Sequence, residues 1–413
     1  MIEVNRYKLA NGLTLLHHQD ESTQMVALNL LYNVGSRDEN PEQTGFAHLF
    51  EHLMFGGSEN IPDFDTPIQE AGGENNAWTS EDITNYYEVI PKENAEIVFW
   101  LESDRMLSLN FNQKSLDVQK QVVIEEFKQR CLNQPYGDIP HLIRSLAYKS
   151  HPYNWPTIGK EVSHIENATL EDVKNFFFRH YAPDNAILSI AGNIGFEETI
   201  ALAEKWFGPI PNREVSPRKL PVEQPQTEGR FMEVTRNVPI DAITKAYHMC
   251  ARMDVDYHAM DILSDILSNG ASSRLPQRLM MEKQLFCEVN AYISGSIDPG
   301  LFYVTGKPAP GVSLEEADAA LQHELDLLKE ELVSEYELRK LINKFESQDL
   351  FSNINYQNKA TNLGYFELLS VAEDINTEVD KYLALTPEKV RQAARKYFRP
   401  ENCSTLYYRA EKK

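Results

Sequence analysis

Cysteine is scarce in this sequence. Cys131, Cys250, Cys287 and Cys403 are the only four in 413 residues. None belongs to a C-x-x-C pair and four are far too few for a disulfide scaffold, a pattern that suits a reducing compartment. Basic charge is also short: 40 Lys and Arg face 62 Asp and Glu, a net charge of -22. A field of that sign repels polyanions and anionic lipid, which argues against nucleic-acid or membrane-surface partners. Long apolar runs are missing too; the stretch from Met25 to Val34 is about half of the roughly 20 residues a bilayer span needs. Met1 opens on a polar strand pattern without a signal-peptide pattern, so the expected location is the cytoplasm, or the periplasm for a chain already relieved of its signal peptide. What remains, 42% hydrophobic and 25% charged, is the composition of a soluble globular chain of two to four domains.

The sequence repeats itself. Thr169-Leu-Glu171-Asp-Val173 leads through a helical pattern to Tyr181-Ala-Pro183-Asp-Asn185 and the apolar run from Ala186 to Ala191. The same markers recur 217 positions later as Thr386-Pro-Glu388-Lys-Val390, Phe398-Arg-Pro400-Glu-Asn402 and the run from Cys403 to Tyr408. In both copies Thr caps a helix, Pro ends it and a strand follows. The same displacement carries the strand from Val26 to Tyr32 onto Ile243 to Met249. Two related domains are expected, at residues 1–210 and 231–413, joined by a Pro-punctuated linker at 211–230. Asn11-Gly12 between two strand patterns is a hairpin signal and favours antiparallel pairing. The expected fold class is α+β, two homologous α/β-sandwich halves, each a mainly antiparallel sheet against helices. Leu314 to Leu332 and Leu338 to Phe351 read as amphipathic packing helices.

Chemistry concentrates in Gly45-Phe-Ala-His48-Leu-Phe-Glu51-His52-Leu-Met-Phe55-Gly56-Gly57. On a helix His48 and His52 share one face, where two imidazoles converge on a single ion, and Glu51 flanks that face within reach of a water. A catalytic tetrahedral site needs a third protein ligand and one open position. Gln119-Lys-Gln-Val122-Val123-Ile-Glu125-Glu126-Phe127 supplies an acid. Helical spacing puts Gln119, Val122, Val123 and Glu126 on one face with Phe127 beside them, and an acid on an apolar face must be paired, protonated or bound to a cation. Glu125 points away, although a shift of one residue exchanges the pair.

These residues resemble the inverted zinc peptidases, the family of pitrilysin, insulin-degrading enzyme and the mitochondrial processing peptidase. The likeness extends through Gly72-Gly-Glu-Asn-Asn76-Ala77-Trp-Thr79, Thr84-Asn-Tyr86-Tyr87, the His151-Pro-Tyr run with Gly159, and the two-half organisation. It implies that His48, His52 and Glu126 bind one Zn²⁺ and that Glu51 is the general base. It also implies that Asn76 and Ala77 lie on an edge strand to which an unfolded peptide adds its own backbone.

Two places depart from the family pattern. Gln119 stands where the resemblance implies a second Glu close to the metal, keeping hydrogen bonding and losing charge. In the second half, Met280 and Cys287 occupy the positions of an Arg and a Tyr that hold the substrate carbonyl in single-chain relatives. Neither donates as those groups do. Arg274 and Tyr292 are nearby at the wrong spacing and read as structural. The expected activity is that of a zinc-dependent metalloendopeptidase subunit acting on unfolded peptides in an enclosed chamber. The alternative is a catalytically weak or inactive structural or partner subunit of the same fold. The empty positions imply a homologous partner chain that supplies Arg and Tyr, hence a heterodimer, with a homodimer also open.

Overall fold

The computed structural model describes residues 1–213 and 217–411. Residues 214–216 of the expected linker, and 412–413, lie outside the described residues. The chain divides into two compact units. The first comprises Met1–Gln129, Trp155–Leu220 and Asp349–Glu378, and the second Arg130–Asn154, Pro221–Gln348 and Val379–Lys413. Among the described residues no helix is long and apolar enough to cross a membrane.

In the first unit, β1 (Asn5–Lys8), β2 (Thr14–Gln19), β3 (Met25–Tyr32), β4 (Glu74–Thr79), β5 (Thr84–Pro91) and β6 (Ala186–Gly192) form one sheet in the order β1-β2-β6-β3-β5-β4. All neighbours are antiparallel except β2 and β6. The first hairpin turns at Gly12, where φ is +96° and an added Cβ would stand 2.7 Å from the Asp184 Cβ, so a side chain is excluded. Central β3 is buried on both faces. Val26, Leu28, Leu30 and Tyr32 join a core with Phe46, Leu49 and Phe50 of the Phe46–Leu53 helix, Val98 and Phe99 of Ala95–Leu107, and Val173 and Phe177 of Leu170–His180. Its other face meets Tyr356–Leu369, where Ala360 packs on Ala27 and Leu363 on Leu16 and Ile187. Each such burial contributes roughly 1.5–3 kcal/mol, and truncating Leu363 to Ala costs about 2–5 kcal/mol.

The second unit repeats the design with β7 (Arg230–Arg236), β8 (Ala242–His248), β9 (Phe286–Ile293), β10 (Leu301–Pro308) and β11 (Cys403–Ala410), ordered β7-β11-β8-β10-β9. Displaced by 217, β5 coincides with β10 and Leu170–His180 with Pro387–Tyr397, while β3 and β6 fall on β8 and β11 to within one residue. Along β8 the period of two is plain. Ile243 and Tyr247 face Met260, Leu263, Leu321 and Val390, whereas Ala242 and Ala246 face Ile143, Leu146 and Ala147 of the Ile139–Ala147 helix. That helix and Tyr356–Leu369 begin 217 residues apart, and each covers the sheet built from the opposite half of the sequence. The amphipathic regions expected after residue 310 are the helices Leu314–Glu330 and Glu335–Ser352.

One buried histidine gives the first unit a pH dependence. His180 ends the Leu170–His180 helix with its ring 4.7 Å from Phe176. Burial lowers its pKa to about 4, with Arg179 and Arg218 adding to the fall and Asp38 opposing it. Between pH 6.5 and 4 the unfolded chain therefore takes a proton that the folded chain refuses, so stability is intact above 6.5 and is lost as pH falls toward 4. His180→Gln is expected to shrink the loss between pH 7 and 4.5 by roughly 2–3 kcal/mol, read from urea unfolding at both values. Equal losses in variant and wild type would contradict this assignment.

Candidate metal centre

The Phe46–Leu53 helix follows Gly45, which has φ +89° and sits where a Cβ would lie 2.9 Å from the Ile158 carbonyl oxygen. The next residue, Gly159, has φ +99°, and a Cβ there would lie 3.1 Å from the Gly45 backbone. With no side chain at the helix start, the first N–H groups find their acceptor elsewhere. Glu39 accepts from Gly45 N through Oε2 (3.0 Å) and from Ala47 N through Oε1 (2.9 Å), and Trp155 Nε1 donates to the same Oε2 at 2.9 Å. Burial raises the Glu39 carboxyl and these three donors oppose the rise, leaving it at about 8. All three bonds are ones the carboxyl accepts, which is the pattern of the ionised form.

His48 is buried and His52 half-buried on one face of this helix, their rings 4.9 Å apart and nearly perpendicular at 86°. The third group comes from the Gln113–Phe127 helix, whose start is capped by Asn112 Oδ1 accepting from Ser115 N at 2.8 Å. Its buried stripe is Leu116, Val123, Ile124 and Phe127. Val122, expected on that face, is instead 45% exposed; the helix is rotated so that Ile124 takes the inward position, while Gln119 and Glu126 lie on its flank, half-buried. Lys120 secures the helix by donating to the carbonyls of Glu166 (2.7 Å) and Ala168 (2.9 Å).

Glu126 Oε2 lies 3.6 Å from His48 Nε2 and 3.3 Å from His52 Nε2. The ligand atoms of all three residues fall within 4.8 Å of one another. Glu125 is turned away, exposed and paired with Lys128 at 2.7 Å. Two neutral imidazole nitrogens and a carboxylate oxygen repel at such distances unless a proton or a cation lies among them. Atoms held roughly 2.05 Å from a tetrahedral ion are about 3.3 Å apart, close to what is found here, and two nitrogens with one oxygen suit Zn²⁺ better than Mg²⁺ or Ca²⁺. The residues present therefore fit zinc.

Glu51 is half-buried on the flank of the same helix. Its charge reaches two buried phenols, Tyr86 and Tyr181, whose pKa values rise, first through burial and in smaller part through Glu51. Gln119 lies two turns before Glu126, its Nε2 3.9 Å from where a Gly56 Cβ would stand, just beyond the end of the histidine helix. Asn76 and Ala77 lie on β4, the edge of the first sheet, with Asn76 Oδ1 accepting from Ala77 N at 2.8 Å. The same Asn-Ala pair recurs on edge strand β9, where Asn290 Oδ1 accepts from Ala291 N at 2.9 Å.

In the second unit, Met280 packs against the apolar core, and exposed Cys287 donates its thiol to the Lys307 carbonyl at 3.3 Å. Arg274 is committed to Glu337 by two bonds of 3.0 and 2.7 Å, and Tyr292 stacks on Tyr303 at 4.9 Å. Sequence reasoning missed Glu39 and Trp155. Asp38-Glu39-Asn40-Pro41 has the composition of a solvated turn, and no local spacing links residue 39 to residue 155.

Comparison with known proteins gives a consistent picture. Residues 14–161 match the family described as Insulinase (Peptidase family M16), and residues 167–345 the Peptidase M16 inactive domain. Zinc protease PqqE of Helicobacter pylori is 30% identical over 409 residues, 97% of this chain and 91% of that protein. Uncharacterized zinc protease YmxG of Bacillus subtilis is 26% identical over 405 residues, 96% of each. The crystal structure of a protease from Helicobacter pylori superposes with a TM-score of 0.94 at 26% identity, covering 99% of this chain and 100% of that one.

Proposed function

This chain belongs to the insulinase peptidase family, M16, and from that premise we propose that it is a zinc-dependent metalloendopeptidase subunit hydrolysing unfolded peptides. The observation that carries the reading is the convergence of His48, His52 and Glu126 from two helices onto one point. When bound there, zinc supplies Lewis acidity and a nucleophile at neutral pH. Glu51 takes a proton from the attacking water and returns it to the leaving amine, so that one carboxylate serves both halves of the reaction. Edge strand β4, through Asn76 and Ala77, aligns an extended substrate by main-chain pairing, which selects unfolded chains over any one sequence. Gln119 tunes the site by hydrogen bonding without adding charge.

Met280 and Cys287 support a further element of this reading. A homologous partner chain supplies the Arg and Tyr donors missing here, and the working enzyme is a heterodimer. A purely structural subunit of the same fold is the competing reading, favoured by those same two positions. The test is cleavage of an unstructured peptide before chelation, after it and after zinc is restored, with the partner chain present. We expect loss and recovery of activity with the metal. Cleavage that survives complete removal of zinc would contradict the mechanism, and no cleavage in any state would favour the structural subunit.

A further inference from the structure

The histidine helix spans eight residues, two turns, a length at which an isolated helix is not stable in water. What holds its first turn is therefore what positions His48 and His52. Gly45 has no side chain to cap with, and Glu39, six residues earlier and only 6% exposed, takes the N–H groups of Gly45 and Ala47 with its two oxygens. A carboxylate at this end of a helix is also favoured by the macrodipole. Ala47 immediately precedes His48, so this bond fixes the backbone from which the first imidazole projects. The third donor, the Trp155 indole, ties the carboxylate to a segment more than a hundred residues away and also donates to the Ser36 carbonyl at 3.2 Å. The helix is thus held at a set height and rotation against a fixed point, while Glu126 approaches from a separately anchored helix.

We propose that Glu39, braced by Trp155, is a positioning residue for the metal site, holding the helix of His48 and His52 in register with Glu126. The proposal rests on the zinc reading above. Glu39 touches neither the ion nor the substrate. Its effect is transmitted through the Gly45 and Ala47 N–H groups. Glu39→Gln keeps the volume but puts an NH₂ against either Ala47 N–H or the Gly45 and Trp155 donors, donor facing donor. Trp155→Phe removes one of the three bonds and leaves the carboxylate.

The experiment measures zinc affinity by competition with a chromophoric chelator, with thermal unfolding of the metal-free chains alongside. It compares wild type, Glu39→Gln, Trp155→Phe and Leu363→Ala. The last destabilises the same unit from the opposite face of the sheet and serves as the stability control. We expect roughly 10- to 100-fold weaker zinc binding for Glu39→Gln, in line with supporting groups around metal ligands, a several-fold loss for Trp155→Phe, and wild-type affinity for Leu363→Ala. Peptide kinetics of the assembled enzyme should show a fall in kcat at unchanged KM. Wild-type affinity in Glu39→Gln, or an equal loss in Leu363→Ala, would overturn the proposal. If Glu39→Gln does not fold, Trp155→Phe decides on the same terms. Absence of zinc binding by the wild type would instead refute the metal reading itself.

Discussion

Glu51→Gln is expected to keep its zinc and lose peptide cleavage by roughly a hundred- to ten-thousand-fold, the usual contribution of a general base. Glu51 shares the helix of His48 and His52 but is turned to its flank, and the three converging ligand atoms belong to other residues. The amide keeps the shape of the side chain and can neither take a proton from water nor deliver one to the leaving amine. The measurement pairs metal content with turnover of an unstructured peptide by the active assembly. Loss of zinc together with activity would make Glu51 a ligand. Equal turnover by variant and wild type would assign the base to another residue.

The second large effect concerns the partner. On the proposed reading the isolated chain is expected to be a poor peptidase, because Met280 and Cys287 stand where the family likeness implies two donors to the developing oxyanion, and each such donor typically contributes roughly a hundred- to a thousand-fold in turnover. Met280 lies half-buried against the core of its unit and Cys287 offers its thiol to a backbone carbonyl. Arg274 and Tyr292 are occupied by Glu337 and Tyr303. A homodimer brings the same empty positions. Peptide cleavage by this chain, by a homologous chain bearing the Arg and Tyr, and by their mixture, with size-exclusion mass alongside, separates the cases. Full activity of the isolated chain, unchanged by the partner, would refute the division of labour and direct mutagenesis to Arg274 and Tyr292.

Much of this architecture was written locally in the sequence. The Asn11-Gly12 turn and the Thr169 and Thr386 caps each rest on backbone chemistry within a few residues, and the 217-residue displacement is read from the recurrence of such local markers. The pairing of His48 with His52 was legible for the same reason, since one helical turn fixes it. Glu126 was separable from Glu125 only by its neighbours. The rotation of that helix came out far enough in error to put Val122 inward instead of Ile124, because a step of about 100° per residue leaves flanking positions open when both sides carry aliphatic residues.

Long-range choices were not legible. Ile139–Ala147 carries an apolar stripe that fits either sheet and Tyr356–Leu369 carries almost none, so neither says which sheet it covers. Glu39 reads as solvated until the fold encloses it with Trp155 and the start of the histidine helix.

The central claim is that His48, His52 and Glu126 hold one zinc ion, and elemental analysis of the purified chain tests it most directly. The account predicts close to one zinc per chain, retained in Glu125→Ala and mostly lost in both His48→Ala and Glu126→Ala. Unchanged metal content in the last two variants would contradict it.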